Sequence, residues 1–202
     1  MDGGSRHPRR RRCDRYDSGL ASLRRARAGG SCGIGHPGLL PSHSPDTLCR
    51  QRKKGGTMLK IVKTDIFSSD AQTLVNAVNC VGVMGGGLAA LFKERFPEMY
   101  IDYVAACETG ELKPGHPHLW KGEEKWVLNF PTMDTLAEGA QLGWIEQGLI
   151  AFADNYRAWR VESVSFPKLG CGIGGLDWEE VYPLMVRRIG NLPIPVHVHD
   201  YP

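Results

Sequence analysis

Two glycine-rich stretches hold the residue types in this chain best suited to chemistry. One is Gly82 to Gly87, following an apolar run that ends at Asn79. The other is Gly170-Cys171-Gly172-Ile173-Gly174-Gly175, shortly before Asp177. Each lies between a strand-like pattern and a helix-like one. Glycine lets a backbone approach an anion closely and reach positive φ, and a helix start adds unpaired N–H groups with a favourable dipole. A single loop of this kind is more often a tight connection. Two in one small domain point to a shared pyrophosphate held from both sides.

The spacing of the first loop excludes the commonest phosphate sites. It lacks the lysine-containing pattern of a P-loop, and Gly82, Gly85 and Gly87 do not form the dinucleotide fingerprint. A P-loop nucleotidase, a kinase and a Rossmann dehydrogenase are therefore disfavoured. Asn79, at a strand end, is open to two readings: a hydrogen bond to a sugar hydroxyl, or a turn-forming asparagine. Asp65 could accept from an exocyclic amine or cap a turn. Asp134 is a general base if it faces the pocket, and otherwise a solvated acid. Cys80 and Cys171 have no neighbouring histidine in sequence and read as packed thiols. The pairs His116/His118 and His197/His199 lack cysteines or acids at ligand spacing, so no metal site is expected.

The elements that must position these residues follow from periodicity. Strands are expected at residues 59–63, 73–79, near Trp120, 126–130, 162–166 and 194–198. Helices are expected at 87–96, 98–109, 142–159 and 177–189, with Asp177 as a cap. Strands alternating with helices imply a three-layer α/β/α sandwich around a mixed, largely parallel sheet, with ligands beyond the carboxyl ends of the strands.

Charge divides the chain. Residues 1–57 carry a net charge of about +9, including the run Arg9 to Arg12, whereas residues 58–202 carry about −6. The first segment has few apolar residues and no lasting period, as a disordered basic tail would. Lys54-Gly55-Gly56-Thr57 before Met58 fits purine-rich codons of a ribosome-binding site, so Met58 is read as the start and residues 1–57 as translated leader. A nucleic-acid-binding arm and a mitochondrial-type presequence are the alternatives. The six cysteines show no zinc or redox spacing. With no secretory signal and no membrane-spanning apolar run, a cytoplasmic protein with reduced thiols is expected.

Taken together, Thr64-Asp65-Ile66, Val75-Asn76-Ala77-Val78-Asn79, Met84-Gly85-Gly86-Gly87 and the run from Leu169 to Trp178 resemble the macrodomain family. Within it they are most similar to the bacterial DNA ADP-ribosyl glycohydrolases, antitoxins that reverse ADP-ribosylation of thymidine, and to the terminal ADP-ribose glycohydrolase of animals. The resemblance covers residues 58 to about 200. It implies a bacterial or phage hydrolase of ADP-ribosyl linkages on DNA or protein, with a toxin as an opposing partner, no cofactor and no membrane partner. It also implies roles. Asp65 would bind the adenine amine with the Ile66 backbone alongside, and Asn79 the distal ribose. Gly85, Gly86, Gly87 and Thr132 would line one side of the ligand. Gly170, Cys171, Gly172, Ile173 and Gly174 would wrap the other with backbone N–H groups, so that phosphate meets dipoles rather than Lys or Arg.

Three positions depart from the family pattern. Gly86 stands where the glycohydrolases usually carry lysine, Met133 replaces the lysine that ends Asn-Phe-Pro-Thr-Lys, and Gly174 replaces an acid of the animal enzyme. A thioether forms no Schiff base and carries no proton. The catalytic group is therefore unknown. The alternatives are hydrolysis by a water positioned by substrate diphosphate and loop backbone, or an inactive ADP-ribose reader. A nucleic-acid-binding protein using its basic arm is the rival from another class.

Overall fold

The computed structural model describes residues 58–200. The expectations for residues 1–57 lie outside them. In chain order the strands are β1 (Leu59–Val62), β2 (Thr73–Val78), β3 (His118–Lys121), β4 (Trp126–Pro131), β5 (Val164–Pro167) and β6 (Val196–His199). The helices are α1 (Gly87–Arg95), α2 (Pro97–Glu108), α3 (Leu142–Trp159) and α4 (Trp178–Ile189). One 3-10 turn, Ile66–Ser68, was not anticipated from the sequence.

The strands form one six-stranded sheet in the order β1-β6-β5-β2-β4-β3. All neighbours are parallel except β3, which runs antiparallel to β4 at one edge. This is the expected mixed, largely parallel sheet. Helices cover both faces, and each buries one stripe. On α3, Ile145, Leu149, Phe152 and Tyr156 recur at helical spacing, and Val181, Met185 and Ile189 do so on α4. They pack with Val75, Leu128, Phe130 and Phe166 of the sheet. On the opposite face, Phe92 of α1 and Met99, Tyr103 and Ala106 of α2 pack with Leu74, Val78 and Val127. The apolar residues of β2 thus divide between the two cores, as the two-residue repeat of a strand requires.

Boundaries shift by small steps with local causes. The break between α1 and α2 falls at Phe96, whose backbone leaves the helical region (φ −130°, ψ 70°) before Pro97, while Pro97 itself opens α2. Asp177 occupies the cap position of α4, but its side chain makes no capping hydrogen bond, contrary to expectation. Strand β5 begins at Val164 and not at residue 162, and β6 extends to His199. Among the described residues, no helix is long and apolar enough to cross a membrane.

Candidate functional site

A cavity of about 720 Å³ opens at the carboxyl ends of four adjacent strands, β6, β5, β2 and β4. His199 and Asp200 come from the end of β6, Lys168 follows β5, Asn79 follows β2, and Thr132 and Met133 follow β4. Neighbouring strands lie about 4.8 Å apart, so these four ends span about 14 Å. Both glycine loops line the cavity, which brings Asn79, Gly85, Gly86, Gly87, Thr132, Gly170, Cys171, Gly172, Ile173 and Gly174 together.

The first loop is built by Asn79. Its Oδ1 accepts from the amides of Val81 and Val83, at 3.1 and 3.3 Å, and its Nδ2 donates to the Val83 carbonyl at 2.6 Å. The turn-forming reading of Asn79 is therefore realised, and one Nδ2–H is left for a ligand. The loop enters α1 through Gly86, which caps the helix without a side-chain hydrogen bond, so the first amides of α1 remain open at the cavity. Gly86 has an extended backbone (φ −162°) that any residue adopts, and a Cβ there would meet only Ile173, at 3.6 Å.

The second loop is tied at its base. Cys171 N donates to Lys168 O, Leu176 N to Gly170 O, and Ala140 N to Gly174 O, the last two at 3.0 Å. Here glycine is required by space. A Cβ on Gly174 would lie 2.6 Å from both Ala140 Cβ and Gly170 O, whereas one on Gly172 would meet nothing within 4 Å. Ile173 is 67% exposed and leans across the cleft, its Cδ1 3.1 Å from where a Cβ of Gly87 would be. The two loops therefore face each other across one side chain.

At the β4 end, the Thr132 hydroxyl is buried without a hydrogen-bond partner, a free polar group in the cavity wall. Met133 beside it is 8% exposed. Asp134 is not among the lining residues; its carbonyl accepts from Cys80 N at 2.9 Å. Burial, with the nearby Asp134 carboxylate and Cys107, pushes the Cys80 thiol up to about 12. Burial likewise raises Cys171, against a smaller opposing pull from Lys168. Neither thiol is poised as a nucleophile.

Asp65 and Ile66 are not brought into this cavity lining. They follow β1, one strand beyond β6. Asp65 Oδ1 accepts from Phe67 N at 2.9 Å, capping the 3-10 turn, and Ile66 is buried in the core. With Phe67, Leu91, Glu94 and Arg95, Asp65 borders a separate concavity of about 360 Å³.

Three polar lining residues, Lys168, His199 and Asp200, were not assigned to the site from the sequence. Lys168 pairs with Asp200 at 2.5 Å, and His199 is buried. His199 Nδ1 lies 2.8 Å from the Thr64 carbonyl, which can only accept, so that nitrogen carries the proton. Its Nε2 faces the Ser165 hydroxyl at 3.1 Å. This link ties the end of β1 to the end of β6. The available signal was position: all three residues lie at or directly after the end of a strand. Among the described residues no metal-ligating cluster forms, and His118 is instead held by Asp102 at 2.6 Å and Glu111 at 3.3 Å.

Comparison with known proteins adds a family. The model of the Macro domain matches residues 75–185. The DNA ADP-ribosyl transferase-DNA ADP-ribosyl glycohydrolase fusion protein of Thermosipho africanus is 38% identical over 160 residues, which are 70% of this chain and 41% of that protein. The chain thus spans about two fifths of the length of that relative. The solved structure of Thermosipho africanus DarTG in complex with ADP-ribose aligns at TM-score 0.69 and 40% identity, covering 71% of this chain and 41% of the other. The macrodomain of Mycobacterium tuberculosis DarG aligns at TM-score 0.68 and 38% identity, covering 73% of this chain and 99% of that structure.

Proposed function

We propose, from the premise that this chain belongs to the Macro domain family, that its cavity binds ADP-ribose and that the protein removes ADP-ribose from modified DNA or protein. The macrodomain would comprise residues 58–202. The observation that carries the reading is the pair of glycine loops facing one cavity across Ile173, with the first amides of α1 on one side. The diphosphate would lie between the loops, bound by backbone dipoles. The distal ribose would lie toward Asn79, Thr132 and Met133, and the adenosine toward β6 and Asp65. A relative whose solved structure is a complex with ADP-ribose supports the same occupant here.

The chemistry at the distal ribose would proceed without a lysine. The lining residues with ionisable side chains are Lys168, Cys171, His199 and Asp200, all from β5, the loop after it, or β6, whereas Met133 lies at the β4 end. Asn79, Thr132 and the open loop amides would orient the distal ribose and a water beside it, so attack would depend on placement and on the substrate's own diphosphate. The same observation favours a second reading, an ADP-ribose reader with no turnover. The fused relative, which joins a DNA ADP-ribosyl transferase to a glycohydrolase, supports a DNA-modifying toxin as opposing partner.

The test is release of ADP-ribose from an oligonucleotide carrying ADP-ribosyl-thymidine, at near-stoichiometric protein. Release that disappears in Asn79→Ala supports a lysine-independent hydrolase. Binding of free ADP-ribose with no release, from modified protein as well as DNA, selects the reader. No binding refutes both.

A further inference from the structure

Among the described residues that line the cavity, Lys168 is the single lysine or arginine. It stands two residues before Gly170, and its carbonyl accepts the amide of Cys171, so its backbone begins the second glycine loop. Its Nζ reaches sideways to Asp200 Oδ1 at 2.5 Å, across the neighbouring ends of β5 and β6. The two side chains are 34% and 37% exposed. An ion pair that open to water contributes little and is readily exchanged for another partner. A lysine, moreover, is a point charge on a flexible four-carbon stem, with three donors to share.

A ligand diphosphate between the two loops would bring two negative charges beside this ammonium group. We infer that Lys168 is a diphosphate-contacting residue and that Asp200 is its internal competitor, holding the ammonium at the β6 side and releasing it to the ligand. The inference rests on the ADP-ribose reading and adds a cation to a site otherwise served by backbone dipoles. It also assigns Asp200 a tuning role: as a like charge on the cavity wall, it lowers affinity for anions and makes binding selective for a ligand with enough phosphate charge to displace it.

The pair makes the test directional. ADP-ribose binding is measured by calorimetry over a series of salt concentrations for the full chain, Lys168→Met and Asp200→Asn. Lys168→Met should weaken binding about tenfold and flatten its salt dependence, whereas Asp200→Asn should tighten binding about threefold. A purely structural brace predicts weakening in both, and that result overturns the inference. So does unchanged affinity in Lys168→Met when the wild type binds, which leaves the ADP-ribose reading intact. A wild type that binds no ADP-ribose refutes that reading and this inference with it. Were Lys168→Met not to fold, the sign of the Asp200→Asn change alone would decide, with loss of affinity overturning the inference.

Discussion

The hydroxyl of Tyr103 lies 2.9 Å from both the backbone carbonyl and the side-chain Oδ1 of Asn79. Tyr103 is fully buried in α2, beneath the first glycine loop, and is not part of the cavity wall. A helix packed on one face of the sheet thus fixes the residue from which the loop starts. Tyr103→Phe keeps the ring and removes the donor. It should cost about 1–3 kcal/mol of stability, because the group it satisfies stays buried. Denaturant unfolding measures this, and an unchanged midpoint would show the hydroxyl to be dispensable.

Asn79→Ala removes four contacts at once, so its effect must be read beside that of Tyr103→Phe. Loss of ADP-ribose affinity in both variants would mean that Asn79 acts through the loop. Loss in Asn79→Ala alone, by about 1–3 kcal/mol, is the expected outcome if its remaining Nδ2–H reaches the ribose. Titration of both folded variants with ADP-ribose distinguishes the two.

Gly172 and Gly174 flank Ile173 in the loop yet should respond differently to substitution. A side chain at Gly172 enters open space. Gly172→Glu should therefore fold with near-normal stability while abolishing ADP-ribose binding by placing a carboxylate in the diphosphate channel. Gly174→Ala must displace Ala140 or the Gly170 carbonyl and should lower the melting temperature measurably. Normal binding by a folded Gly172→Glu would overturn the placement of the diphosphate.

Met133→Lys tests where chemistry occurs. The side chain is 8% exposed in the cavity wall at the β4 end. If the protein is a reader, adding the amine should create single-turnover release of ADP-ribose where none existed. If the protein already turns over by a water route, the rate should change little. Gly86→Lys is sterically compatible with its extended backbone and is expected to leave stability within about 0.5 kcal/mol.

Alkaline pH should expose the buried thiols and phenol. Burial is the largest cause of the raised values at Cys80, at about 12, and at Tyr103, Cys107 and Cys171. A folded-state value above the unfolded one means stability is fully present below about pH 9 and is lost as pH rises from there toward 12. Stability measured between pH 8 and 11 should therefore fall, and Cys80→Ala should flatten that fall. A curve unaffected by the substitution would remove Cys80 from the account.

Much of this protein follows from local chemistry and is written in the order of its residues. Alternating strand and helix periods, the two glycine loops and Pro97 at the start of α2 determined a largely parallel α/β sandwich with both loops at one edge, because turn geometry and amphipathic burial act over a few residues. What neighbours what was settled only by the sheet order. Lys168 and Asp200 pair because β5 and β6 are adjacent, whereas Asp65 follows β1 and falls outside the cavity lining although its motif reads like a site residue. The commitment of Asn79 to its own loop depends equally on Tyr103 arriving from α2. A strand end displays its residues to whichever strands pair beside it, and that pairing is a property of the whole core, decided by which faces can be buried together.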